Sequence, residues 1–136
     1  MVKDIVRDTF FLRRKSSQAS LADMQVISDL KDTLRVHHDT CAGMAANMIG
    51  YSKNIIIIAL DDSDMIMVNP VIMRKAESYD TQEGCLSLDG VRRARRFDKI
   101  TVRYEDESFM QHTEDYSGWT AQIIQHECDH LKGIII

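Results

Sequence analysis

"IIQHECDHLKG", residues 123–133, carries a His-Glu-x-x-His pattern inside an otherwise amphipathic run. On a helix, side chains four residues apart lie on one face, one turn from each other. His126 and His130 can therefore share one divalent cation, with Glu127 beside the ion rather than on it. A bound cation lowers the pKa of its water to roughly 7, and a neighbouring carboxylate can take and return the proton. The alternative is a solvated helix face whose spacing is fortuitous. The choice turns on whether the rest of the chain supplies a third ligand, since catalytic sites usually combine three protein ligands with water.

The helix itself has readable limits. Ser117 is placed to cap it, "GWTAQIIQHECDHLK" fills it, and Gly133 is placed to end it. Upstream, "SLADMQVISDLKDTLRVHHD" (20–39) reads as a second amphipathic helix, with Ser20 as cap and Leu21, Met24, Ile27, Leu30 and Leu34 on its apolar face. His37 and His38 fall at its frayed end, facing different ways. "NIIIIAL" (54–60) is continuous and β-branched, as in a buried strand, and "MIMVNPVIMRKAE" (65–77) gives one or two strands broken near Asn69-Pro70. "KITVRYED" (99–106) alternates with Ile100, Val102 and Tyr104 on one face, and "SFMQHT" (108–113) is a candidate hairpin partner. Strands followed by a late helix predict an α+β fold, antiparallel sheets packed around the metal-binding helix, within a single domain spanning 1–136.

Composition narrows the class. The chain has 136 residues, 44% apolar and 28% charged, which suits one globular domain with a real core. A net charge of −4 argues against a dedicated nucleic-acid binder, so no direct nucleic-acid binding is expected. The basic cluster of "VRRARRFDK" (Arg92, Arg93, Arg95, Arg96, Lys99) reads as a solvated strand or turn, with a substrate- or partner-facing role as its rival. No secretory layout begins the sequence, and the longest apolar run, "IIIIAL" (55–60), is too short to span a bilayer. Three cysteines without a disulfide framework point to reduced thiols and a cytoplasmic location.

Two residues stand as candidates for the third ligand. Asp129, three residues after His126, is better placed to orient a neighbour or face water. Cys85, in "YDTQEGCLSLDG" (79–90), follows Gly84, which permits close backbone approach, in a stretch with little helical or strand period. Free cysteines are more often buried apolar residues than ligands.

"EGCLS" at 83–87 followed by "QHECDH" at 125–130 resembles the peptide deformylase family. That family carries Gly-φ-Gly-φ-Ala-Ala-x-Gln, Glu-Gly-Cys-φ-Ser and His-Glu-x-x-His. The second and third motifs are complete here, and the first is recognisable as "CAGMAANM" (41–48). The resemblance implies a metal-dependent hydrolase that removes the N-formyl group from formyl-methionyl peptides of nascent chains by attack of metal-bound hydroxide. Carried over residue by residue, it makes Cys85, His126 and His130 the metal ligands, Glu127 the general acid and base, and the Leu86 N–H an oxyanion donor. It makes the backbone at Ala42 and Gly43 a support for the extended substrate, and an apolar pocket with Ile123 on its wall the receptor for methionine. Two imidazoles and a thiolate suit zinc on softness grounds; the resemblance implies Fe2+, with Zn2+ or Ni2+ as alternatives. The ribosome is a further partner it suggests, and a membrane is not.

The first motif departs from the pattern. Cys41 replaces its first Gly and Met48 its final Gln, whose amide helps hold the formyl oxygen. A thioether accepts weakly and donates nothing, and losing one oxyanion donor costs about 10² to 10³ in turnover. Weak or absent deformylation, another N-acyl substrate and a non-catalytic metal-binding role are therefore rival readings. A zinc endopeptidase shares His-Glu-x-x-His but needs a different third ligand. Cys128 is read as packing, and Glu83 as a partner for one of Arg92 to Arg96 that would fix the metal loop.

Overall fold

A computed structural model describes residues 1–136. In chain order it has a one-turn helix α1 (Thr9–Leu12), α2 (Met24–Val36), β1 (Gly43–Ala45), β2 (Ile55–Ala59), β3 (Asp64–Cys85), β4 (Leu88–Glu105), β5 (Gln111–Ser117) and α3 (Gly118–Leu131). The five strands form one antiparallel sheet in the order β1-β2-β3-β4-β5. The fold is α+β, with α3 packed on β1, β2 and β4, and α2 on β1 and β2.

The continuous apolar run of β2 is explained by cover on both faces: Ile55, Ile56, Ile57 and Ile58 have no solvent exposure. On β4, Ile100, Val102 and Tyr104 are buried as their alternation predicts. These residues join Ile27, Leu30, Leu34, Met44, Ile124 and Leu131 in a core cluster of 25.

Three local expectations change. Ser20 does cap, but it caps a 3-10 turn at Leu21–Asp23 that rotates the chain before α2 begins. Leu21 and Met24 consequently lie exposed, and Val26 joins Ile27, Leu30 and Leu34 on the buried face. Asn69-Pro70 interrupts pairing as a bulge, with Asn69 at φ 51°, yet β3 continues through it. The stretch 79–90 is the far half of a long hairpin, turning at Leu86-Ser87, with Glu83 opposite Arg92 and Tyr79 opposite Arg96. Its outward positions Asp80, Gln82 and Gly84 are exposed and its inward positions hold Thr81, Glu83 and Cys85 instead of aliphatic residues, so it lacks the apolar alternation that marks a half-buried strand.

Gly133 ends α3 at φ 79°, and a Cβ there would lie 2.2 Å from the Arg13 carbonyl oxygen. Only glycine fits this crossing of the N-terminal segment.

Candidate active site

His126 and His130 project from the middle and end of α3, and Cys85 ends β3 beside them. His130 Nε2 lies 3.0 Å from His126 Nε2 and 3.3 Å from Cys85 Sγ. One ligand atom from each of the three residues falls within 4.8 Å of the others. Asp129 lies outside this cluster; its carboxylate accepts Arg96 Nη1 at 2.6 Å.

Electrostatics suit a cation at this point. Burial, then the charges of His126 and Arg96, press His130 down to about 3, so its ring is neutral, as a metal requires. Burial also opposes charge on His126, but Cys85, Glu83 and Glu127 outweigh it and raise the ring to about 10. The surroundings of His126 thus favour positive charge at the spot where the three donors meet. The residues fit a divalent metal.

A buried ion-pair network fixes the histidine. Glu83 faces His126 Nδ1 at 2.8 Å, leaving Nε2 toward the other two donors. Glu83 also accepts two bonds from Arg96, Nε at 2.9 Å and Nη2 at 2.7 Å, and one from Gln122 Nε2 at 2.9 Å. Burial alone would raise this carboxyl above its ordinary 4.5; the bonds from His126, Arg96 and Gln122 prevail and hold it at about 2. Arg96 spans Glu83 and Asp129 and so ties the hairpin to α3. Its neighbours Arg93 and Arg95 face solvent.

Glu127 occupies the same cleft. It is buried, its Oε1 has no hydrogen-bond partner, and burial pushes its carboxyl up to about 7 despite the opposing charge of His126. A carboxyl balanced near neutrality can both accept and release a proton. Gly43 makes room for it: a Cβ at Gly43 would stand 2.8 Å from Ile123 Cγ2, 2.9 Å from the Ile57 carbonyl oxygen and 3.3 Å from Glu127 Oε2.

The cleft is a cavity of about 430 Å³ whose lining includes Cys41, Gly43, Met48, Leu86, Trp119 and Ile123 as well as Cys85, His126 and Glu127. At the hairpin turn the Leu86 N–H donates no bond within the chain. On the opposite wall, Ala59 N donates to the Ala42 carbonyl at 2.8 Å, so Ala42 pairs toward β2 and Gly43 and Ala45 turn their backbone groups toward the other edge. Two sulfurs occupy that edge. Cys41 Sγ donates to the Gly43 carbonyl at 2.9 Å, and the Ala45 N–H donates to Met48 Sδ at 3.4 Å.

This second contact clarifies Met48. It sits at the third position of the short 3-10 turn Ala46–Ile49, where a glutamine side chain commonly reaches back to accept the cap N–H. A glutamine oxygen doing so leaves its NH₂ free to donate into the cleft; a thioether performs the first task and not the second. Burial keeps the Cys128 thiol at about 12, consistent with packing, and the Cys41 thiol is likewise raised to about 12 by burial and by Glu127.

Arg96, Gln122 and Trp119 were not picked out individually from the sequence. Stepping back along α3 from His130 and Glu127 in threes and fours reaches Ile123, Gln122 and Trp119, so the helical period contained that signal. Arg96 was hidden among four other cationic residues.

A buried carboxyl beside converging imidazole and thiol donors in an open cleft belongs to the metal-dependent hydrolases. Residues 3–136 match the family model described as Polypeptide deformylase, and the chain belongs to that family. A peptide deformylase of Clostridium beijerinckii is 48% identical over 136 residues, covering 100% of both chains. Peptide deformylase 2 of Clostridium acetobutylicum is 34% identical over 128 residues, with 91% of this chain and 85% of that one covered. Among solved structures, the peptide deformylase of Thermotoga maritima superposes with a TM-score of 0.89 at 24% identity, over 99% of this chain and 95% of that one. A Met-Ala-Ser-bound class I type b peptide deformylase from Acinetobacter baumannii gives 0.89 at 25% identity, over 99% and 97%.

Proposed function

We infer that this chain is a metal-dependent peptide deformylase, hydrolysing the formamide of N-formylmethionyl peptides to formate and a free amine. The observation that carries the reading is the convergence of Cys85, His126 and His130 beside the buried, unpartnered Glu127 oxygen. The Met-Ala-Ser peptide held by the Acinetobacter baumannii relative is of the class such a reaction releases.

Cys85, His126 and His130 are the proposed ligands of one divalent ion. When bound, the ion supplies Lewis-acid polarisation and lowers the pKa of water. Fe2+ is the proposed metal, Zn2+ and Ni2+ being the alternatives the donor set also accommodates. Glu83 holds His126 in the tautomer that turns Nε2 to the ion. Glu127 takes a proton from the attacking water and returns it to the amine nitrogen as the C–N bond breaks. The Leu86 N–H donates to the acyl oxygen as negative charge gathers there. Met48 adds no donor, which favours a slower enzyme than one with glutamine. The Gly43 edge of β1 receives the extended peptide, and Ile123 walls the methionine side chain.

Residues 1–136 act as one domain in this reading, on nascent chains leaving the ribosome in the cytoplasm. No helix is long and apolar enough to cross a membrane.

Formate release tests the activity. Anaerobically prepared, Fe(II)-loaded protein is expected to liberate formate from a formyl-Met peptide and to leave the acetyl counterpart intact. Faster cleavage of acetyl or longer acyl groups would replace this reading with the wider-acyl one that Met48 favours.

A further inference from the structure

Behind the catalytic helix lies a second pocket, of about 260 Å³, that shares no residue with the active-site cavity. Its lining includes Lys15, Ser16, Asn54, Lys75, Cys128 and Lys132. Cys128 is two residues from His126 and two from His130, which on a helix sets it on the opposite side from both. The body of α3 therefore separates this pocket from the metal cluster.

Three segments far apart in the sequence each contribute one lysine. Lys15 comes from the segment before α2, Lys75 from β3 and Lys132 from the end of α3. All three are exposed and none forms an ion pair; the paired lysines are Lys31, Lys53 and Lys99. Lys75 Nζ stands 5.3 Å from the Phe97 ring centroid, a contact that orients the ammonium without neutralising it. No aspartate or glutamate lines the pocket, in a chain whose net charge is −4. Cations gathered at a concave surface without a counter-charge repel one another and focus a positive potential there.

A second observation points to a ligand. Ser16 is 6% exposed, and its Oγ has no hydrogen-bond partner. A buried hydroxyl left unpaired is costly, and it has a proton to donate. The carbonyls that end α3 are already taken. Asp129 O accepts from the Lys132 and Ile134 N–H groups, His130 O from the Gly133 N–H and Asn47 Nδ2, and Leu131 O from the Ser16 N–H. The negative end of the helix is thus capped and does not supply the missing charge.

The complement of such a pocket is an anion with several acceptor oxygens on one centre. A carboxylate brings two oxygens and a single charge. A phosphate monoester brings three terminal oxygens and a charge of about −1.5 to −2 near neutral pH, which matches three ammonium groups and a hydroxyl. The pocket lies below the roughly 300–1,000 Å³ of sites for drug-sized ligands, as a small oxyanion requires.

We propose that this pocket binds phosphate, as the free ion or as a small phosphomonoester, through Lys15, Lys75, Lys132 and the Ser16 hydroxyl. Bound there, the anion ties the N-terminal segment, β3 and the end of α3 together behind the metal site. The proposal uses no feature of the deformylase reading, so either can fail alone.

The test titrates Zn(II)-loaded protein with inorganic phosphate and, separately, with glycerol 3-phosphate at constant ionic strength, reading thermal midpoint and calorimetric affinity. The midpoint should rise with phosphate and not with chloride, because a ligand that binds only the folded state stabilises it by mass action. Lys15→Gln, Lys75→Gln and Lys132→Gln combined should weaken affinity about tenfold, the product of three roughly twofold exposed charge contacts. Ser16→Ala, which leaves those charges in place, should also weaken it about tenfold, the lower range for a hydrogen bond to a charged group. Arg92→Gln, Arg93→Gln and Arg95→Gln combined removes equal charge elsewhere and should leave affinity unaltered. Binding of both probes assigns the pocket to phosphomonoesters, and binding of inorganic phosphate alone assigns it to the free ion. An equal rise with chloride, or phosphate binding that the lysine and serine variants leave intact, as for an ion held at the active-site metal, would overturn the pocket. Capture of a single-stranded oligonucleotide with no affinity for either probe would overturn it too, in favour of a nucleic-acid surface.

Discussion

The two walls of the cleft are built on different physical terms. The wall formed by α3 and the β3–β4 hairpin is held by buried charges: Glu83 binds His126, Arg96 and Gln122, and Arg96 reaches on to Asp129. Every member of that network depends on the others, because removing one leaves a buried partner uncompensated. The wall formed by residues 41–48 is a strand edge closed by two sulfurs, Cys41 on the Gly43 carbonyl and Met48 on the Ala45 N–H. Its contacts are neutral and separable. This contrast explains where the chain departs from its family's pattern. The charged wall keeps both motifs complete, whereas the sulfur-capped wall has exchanged Gly for Cys41 and Gln for Met48 without losing its fold.

The charged wall should break most severely. Glu127→Gln is expected to lower turnover by about 10² to 10⁴, the usual contribution of a positioned acid–base group, while metal content stays as in the parent. Metal analysis beside single-turnover rates checks this, and unaltered turnover would remove Glu127 from the chemistry. Glu83→Gln comes next, acting through His126. Metal affinity should fall about 10- to 100-fold, as for other partners of ligating histidines. The same residue sets an acid limit. Its carboxyl titrates at about 2 when folded against 4.5 ordinarily, so its stabilisation is complete above about pH 4.5 and is lost as pH falls toward 2. Acid unfolding followed by circular dichroism should show that dependence in the parent and lose it in Glu83→Gln.

The same contrast governs what the sequence disclosed. The α3 site was legible because helical period and motif spacing are both local, and β2 and the later half of β4 were legible because their apolar faces are buried. The long hairpin was not. Around Thr81–Cys85 and Val91–Arg95 the inward positions hold Thr81, Glu83, Cys85, Arg92 and Ala94 and the outward ones Gln82, Gly84, Val91, Arg93 and Arg95, so burial leaves no hydrophobic alternation. Glu83 was expected to pair with one of Arg92 to Arg96, and the structure selects Arg96, a choice that needs the strand register and the position of α3. The exposed Leu21 and Met24 mark another limit. Their spacing fits a helix, but the 3-10 turn beneath them redirects the face. The sulfur caps could not be read from residue types alone, because Met48 and Cys41 are significant for which backbone group each one meets.

The central claim is that Met48 keeps the structural half of a glutamine's work and omits the donor half. Its most direct test is kcat and thermal midpoint for the parent, Met48→Gln and Met48→Leu, each with the same metal. Glutamine should leave the midpoint essentially unchanged and raise kcat by about 10² to 10³, the contribution of one oxyanion donor. Leucine, similar in size but unable to accept from Ala45, should lower the midpoint and leave kcat nearly unaltered. A leucine variant as stable as the parent, or a glutamine variant no faster than it, would contradict the account.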